Sequence, residues 1–225
     1  MMRKIAEVLE GSVKYPIMAK QKSKRRAQQQ KGPIDKYMPF AIGAVVIVAA
    51  YFLISALSGP SVGYAVEDRG RDHMNPSGIG GCQPNYITRP PTSGCHHPSI
   101  LNYEIYDSVQ PDQNLVHNLE HGAIVISYRP STIPGEDDFL VDEITDLIQD
   151  LQQEDSKYCR LILTPYDRPF SAESVPELAE TASQMKIALT AWTKIDMMEE
   201  YAEERVKAFI DANINKGPEN LNDCR

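Results

Sequence analysis

Hydrophobic residues are spread very unevenly along the chain. Phe40 to Leu57 reads FAIGAVVIVAAYFLISAL, eighteen residues without a charge. As a helix rising about 1.5 Å per residue it spans about 27 Å, close to a hydrocarbon core of roughly 30 Å, which predicts one transmembrane helix over 40–57. Tyr37 and Tyr51 suit the interfaces and Pro39 a first helical turn. A cleaved signal peptide is the rival reading, because Gly63-Tyr64-Ala65 offers small residues at cleavage spacing. The run is longer than an ordinary signal core of about 7–15 residues, so a retained anchor is expected.

Residues 58–102 are rich in Gly, Pro, Ser and Asn and have almost no apolar periodicity. They predict a long loop segment pinned by disulfide, metal or contact with the body. Regular patterning returns over 103–225. Tyr103–Tyr106 alternates as a short strand would, and Ala123–Tyr128 (AIVISY) is a compact β-branched run. Over 137–152, Leu140, Val141, Ile144, Leu147, Ile148 and Leu151 recur at helical spacing, with Asp137 and Asp138 at the favourable end. Arg160–Leu163 predicts a strand stopped by Thr164-Pro165, Glu173–Met185 a helix, and Ile187–Trp192 a strand. Glu199–Ile214 predicts an amphipathic helix ended by Lys216-Gly217-Pro218. Strands and helices mixed in this way imply an α/β domain, an α+β two-layer sandwich with a small mixed sheet. Trp192 reads as core.

Charge gives the span an orientation. The net charge is −8, but residues 1–39 carry ten Lys/Arg against three acidic residues, a net +7, so the rest carries −15. Eight of those ten basic residues lie between Lys14 and Lys36, directly before the span, and only Arg69 and Arg71 follow it closely. The positive-inside rule makes 1–39 a cytoplasmic tail and 58–225 extracytoplasmic. The tail then reads as a topology signal in contact with anionic inner-leaflet lipid, not as a nucleic-acid arm. Met18-Ala19-Lys20-Gln21-Lys22 also resembles a natural amino terminus, so translation is expected to start at Met18; a native peptide spanning Lys14–Lys20 would refute that.

All four cysteines, Cys82, Cys95, Cys159 and Cys224, follow the span, on the side where disulfides persist. Three connectivities are open, and locality favours Cys82–Cys95 and Cys159–Cys224. The competing role for Cys95, which adjoins His96, is a thiolate metal ligand.

Every histidine lies between residues 73 and 121: His73, His96, His97, His117 and His121. Imidazole is the commonest metal ligand, and this one-sided concentration is the strongest chemical signal in the chain. In His117-Asn118-Leu119-Glu120-His121, positions 117 and 121 project to similar sides in a helix or in a strand. The spelling H-x-x-E-H is that of inverted zinc peptidases, with Glu120 as the base, but Pro111 and Gly122 leave room for only about two helical turns. The alternative role for Glu120 is to support a ligand histidine from behind. Adjacent His96 and His97, in a proline-bracketed loop, point to opposite faces, so one of the two is expected to be a ligand. The bland alternative is that these histidines cap loops and bind no metal. A His-rich nitrogen and oxygen set suits Zn or Cu(II), and Met74 beside His73 is compatible with copper.

Gly70-Arg71-Asp72-His73, Tyr86 with Pro90-Pro91-Thr92-Ser93-Gly94 and His96, and the long phrase Asn114–Gly122 resemble the bacterial domain-of-unknown-function family 3105. Leu189-Thr190-Ala191-Trp192 and Gly217-Pro218-Glu219 extend the resemblance over roughly residues 66–220. The resemblance implies a single amino-terminal membrane anchor and carries no established activity. Its motifs fall on His73, His96, His117, Glu120 and His121. At Cys95 the family commonly has another residue, often proline, which counts against Cys95 as an essential ligand and leaves His97 uncertain.

The expected protein is therefore a single-pass, membrane-anchored, extracytoplasmic metal-binding protein. Its ligands are expected to be His73, His96, His117 and His121, with Glu120 in support. Two other readings stay open: a metal-dependent hydrolase with Glu120 as catalytic base, and a metal-free interaction module with a partner in a membrane complex.

Overall fold

A computed structural model of the chain describes residues 62–75, 81–219 and 224. These belong to one compact unit. The expected span at 40–57, the basic tail and the choice between Met1 and Met18 lie outside the described residues. Among the described residues, no helix is long and apolar enough to cross a membrane.

A five-stranded mixed sheet forms the centre. In chain order the elements are β1 (Tyr64–Ala65), α1 (Asp112–Glu120), β2 (Ile124–Tyr128), α2 (Asp138–Glu154), β3 (Leu161–Pro165), β4 (Ile187–Ala191), β5 (Lys194–Met198) and α3 (Glu203–Asn213). The spatial order of strands is β1-β5-β4-β2-β3. β2 and β3 pair in parallel, with Ile126 opposite Leu163, and α2 supplies the crossover between them. β4 runs antiparallel to β2 and turns through Trp192 and Thr193 into β5, whose outer edge takes β1.

Side chains alternate across this sheet with period two. Ile124, Ile126, Leu161, Leu163, Ile187 and Leu189 face a core shared with Ile144, Ile148 and Leu151 of α2 and Val206, Phe209 and Ile210 of α3. Val125 and Ile162 face the other way, against Leu115, Val116 and Leu119 of α1 and Trp192. Ala188, Ile195 and Met197 meet Tyr166, Phe170 and Val175 on that second side. The sheet is thus covered on both faces, where a two-layer sandwich was expected. The reason lies in β2, β3 and β4, whose residues are buried throughout and leave no solvent face.

Other departures have local causes. Glu173–Met185 is not an α-helix but a series of turns, closed by bonds such as Leu178 N–H to Val175 O and Gln184 N–H to Thr181 O, with one 3₁₀ turn at Ala182–Gln184. Pro176 contributes no N–H and biases Val175 away from helical angles. Val175, Leu178 and Ala182 still reach the core, because separate turns space them as a helix would. Thr164 and Pro165 do not stop β3 but complete it, since Pro165 occupies the last position of a strand at the sheet edge. Tyr103–Tyr106 makes only one isolated bridge, Ile105 to Leu163. β1 and β5 were not predicted.

Candidate metal centre

The helix that carries the central phrase is short and firmly delimited. α1 starts after Pro111, and Asp112 in its first turn accepts two bonds from Arg168, at 2.7 and 2.8 Å. It ends in paired Schellman bonds: Gly122 N–H to Leu119 O at 2.9 Å and Ala123 N–H to Asn118 O at 3.0 Å. Gly122 has φ +81°, and a Cβ there would lie 2.8 Å from Asn215 Cα, so both conformation and space require glycine. His121 is the C-cap, just past the helix proper. His117, Glu120 and His121, at i, i+3 and i+4, share one face.

The loop segment brings the remaining histidines onto that face. Residues 72–74 run parallel to 96, with Met74 N–H to His96 O at 2.7 Å and His96 N–H to Asp72 O at 3.1 Å. Gly94 makes the approach possible, since a Cβ at its φ of +122° would meet Asn85 Oδ1 at 2.7 Å. The disulfide Cys82–Cys95 closes the same loop, and Cys159–Cys224 ties the carboxyl terminus to the 3₁₀ turn before β3. Both pairings are those favoured by locality. They also remove Cys95 from any ligand set, because its sulfur is bonded to Cys82. Asn118, fully buried, clamps Leu101 through both backbone groups, at 2.9 and 2.8 Å.

His73, His96, His117 and Glu120 converge, with one donor atom from each within 4.8 Å of all the others. Glu120 Oε2 lies 3.1 Å from His96 Nε2, 3.7 Å from His73 Nε2 and 4.0 Å from His117 Nε2. His96 and Glu120 are 0% and 2% exposed, while the His73 side chain, at 43%, forms the open side. A tetrahedral ion with bonds near 2.0–2.1 Å needs donors about 3.4 Å apart, and the observed separations bracket that value.

Protonation follows from the neighbours. His96 Nδ1 lies 2.7 Å from the Gly94 carbonyl, and His117 Nδ1 lies 2.7 Å from the His97 carbonyl. A carbonyl only accepts, so each Nδ1 carries a proton and each ring turns its Nε2 inward. His96 Nε2 and Glu120 Oε2, 3.1 Å apart, are in contact, an arrangement that requires a proton or a metal cation between them. A proton is disfavoured at His117. Burial, reinforced by the neighbouring His121, His96 and His73, pulls its pKa down to about 4, and the His97 carbonyl only partly opposes this. Backbone carbonyls that hold Nδ1–H while Nε2 faces the site are the usual outer support of metal-binding imidazoles.

His121 and His97 are placed differently from the other three. His121 Nε2 lies 3.1 Å from His117 Nε2 and 3.1 Å from Glu219 Oε2. It belongs to a second group, Glu120, His121 and Glu219, whose donor atoms also lie within 4.8 Å of one another. His97 contributes its carbonyl to His117, while its ring accepts from Ser99 N–H at 3.1 Å. Glu120, expected behind the ligands, instead has its carboxylate among them and in both groups.

Glu219 was not singled out as a site residue. Its one visible signal was the phrase Gly217-Pro218-Glu219. A Cβ on Gly217 would fall 2.2 Å from the Glu120 carbonyl oxygen, so glycine alone lets this segment lie against the end of α1. Glu219 N–H then donates to Glu120 O at 3.0 Å, which aims the side chain at His121.

Fold and site together define a mixed α/β protein with histidine and glutamate clusters able to hold a metal ion. Residues 82–225 match the family described as Protein of unknown function (DUF3105), and the chain belongs to that family. No curated relative and no solved structure matches the chain.

Proposed function

We propose that this is a single-pass, membrane-anchored protein whose extracytoplasmic α/β domain binds a divalent transition metal through His73, His96, His117 and Glu120. One observation carries the reading. Two buried imidazoles have Nδ1–H committed to backbone carbonyls; His96 turns its Nε2 to the buried Glu120 carboxylate at 3.1 Å, and His117 Nε2 lies 4.0 Å from the same oxygen, so that donors of three residues close on one point that a cation satisfies. Three nitrogens and one oxygen at these separations suit zinc, with copper(II) as the competing occupant. The uncharged run 40–57 and the basic residues before it support the anchor and its orientation, with the tail on anionic inner-leaflet lipid.

The test uses full-length protein purified in detergent, stripped with chelator, reloaded with zinc or copper and desalted. Wild type is expected to retain metal at close to stoichiometric amounts, and His96→Ala with His117→Ala to lose the ion held by the first group. Wild type that returns from loading without metal refutes the reading. A reporter enzyme fused after residue 225, active only outside the cytoplasm, tests orientation. Activity only in a cytoplasmic reporter would reverse it.

A further inference from the structure

We infer that the centre is dinuclear, with the Glu120 carboxylate shared between two ions. The first ion is held by His73, His96 and His117, the second by His121 and Glu219. This rests on the metal-binding reading above and extends it.

The donors outnumber the needs of one ion. His73, His96, His117 and Glu120 already supply four donors to a tetrahedral site, and His121 and Glu219 remain beside it. All the polar contacts of the His121 ring run through Nε2, because its Nδ1 is buried without a hydrogen-bond partner. That Nε2 lies 3.1 Å from His117 Nε2 and 3.1 Å from the Glu219 carboxylate, at the seam between the two groups. Glu120 is common to both groups, and a carboxylate has lone pairs enough for two ions. Ions bridged in this way lie about 3.5–4 Å apart, which fits two donor groups that touch through His117 and His121.

Glu219 is held in place by the backbone. Gly217 sits against the Glu120 carbonyl, Glu219 N–H bonds to it, and Asn215 N–H bonds to Gly122 O at 2.8 Å. Buried Arg160 ties the same two segments, donating to His121 O and Asn215 Oδ1, both at 3.0 Å. The carboxyl-terminal segment is therefore built onto the end of α1 at the place where a second carboxylate is delivered. With three protein donors against four in the first group, the second ion is the more weakly held and loads after the first.

The experiment titrates stripped full-length protein with zinc and, separately, with copper(II). Zinc is expected to bind to two equivalents, the second more weakly, and His121→Ala or Glu219→Gln to retain one. With copper(II), the paramagnetic resonance signal is expected to rise to one equivalent and fall toward the second as the two spins couple. Retention of one equivalent by wild type and by Glu219→Gln alike overturns the dinuclear inference and leaves the metal-binding reading standing. Retention of none overturns both. Two equivalents that persist in the His121→Ala, Glu219→Gln double variant, or two uncoupled copper signals, place the second ion elsewhere and overturn the inference. Circular dichroism of each variant confirms that it is folded; Glu219→Gln, a conservative change at an exposed side chain, carries the test if His121→Ala is not.

Discussion

Gly217 packs directly on Glu120: a methyl group in place of its hydrogen would sit 2.2 Å from the Glu120 carbonyl oxygen and 2.3 Å from Gly122 N. Both neighbours are backbone, so neither can rotate away. Gly217→Ala must therefore push residues 215–219 off the end of α1. Overpacking of this kind costs about 1–3 kcal/mol. The expected result is a lower denaturation midpoint together with loss of the ion held by His121 and Glu219. Wild-type stability in Gly217→Ala would show that the segment does not depend on this contact.

What could be read in the sequence, and what could not, divides by range of interaction. α2 was legible because Ile144, Leu147, Ile148 and Leu151 repeat on one face and all four are buried. β2 was legible because its β-branched run is buried at every position. β5 was hidden by Asp196, a buried acidic residue that disguises a strand and is held by Arg205 of α3, at 2.6 and 2.8 Å, and by Met197 N–H at 2.9 Å. The helix expected over Glu173–Met185 shared its apolar spacing with a chain of turns, and Pro176 was the clue against it. At the site, the shared face of His117, Glu120 and His121 follows from helical geometry alone. The arrival of His73 and His96 depends on loop closure at Gly94 and on Cys82–Cys95, and that of Glu219 on a distant glycine contact. Spacing in sequence cannot show such meetings.

Asn118 lies between two of the site residues but serves the fold. Its amide both donates to and accepts from the Leu101 backbone, fastening the loop after His97 to α1. Asn118→Ala leaves the Leu101 N–H and C=O without these partners, at about 1–3 kcal/mol for each group that water does not reach. Chemical denaturation is expected to show a loss of at least about 1 kcal/mol. A midpoint equal to wild type would mean that solvent replaces both bonds.

The two disulfides should differ in their effect on metal. Cys82→Ser with Cys95→Ser opens a 13-residue loop beside His96 and is expected to cost about 3 kcal/mol in the chain-entropy picture. It should also weaken the first ion, because Tyr86 OH and the Cys95 carbonyl, bonded at 2.7 Å, sit in the same loop. Cys159→Ser with Cys224→Ser opens a separation of 65 residues, at about 3–5 kcal/mol, but touches neither His73, His96 nor His117. Zinc competition with a chromogenic chelator distinguishes the pairs. Equal weakening by both would assign the effect to global stability rather than to the loop.

Acid should destabilise the metal-free protein through His117 in a defined window. In the unfolded chain this imidazole takes up its proton near pH 6.5, whereas in the folded protein burial delays uptake until about pH 4. Between those values the unfolded state binds more protons, so stability falls as pH falls from about 6.5 to 4 and levels off below. One proton contributes a slope of at most about 1.4 kcal/mol per pH unit. The informative quantity is the difference between wild type and His117→Gln, measured by urea denaturation in the presence of chelator. The variant is expected to show a shallower slope across the window and an unchanged one above pH 7. Parallel curves for the two proteins would mean that His117 accepts its proton as readily folded as unfolded.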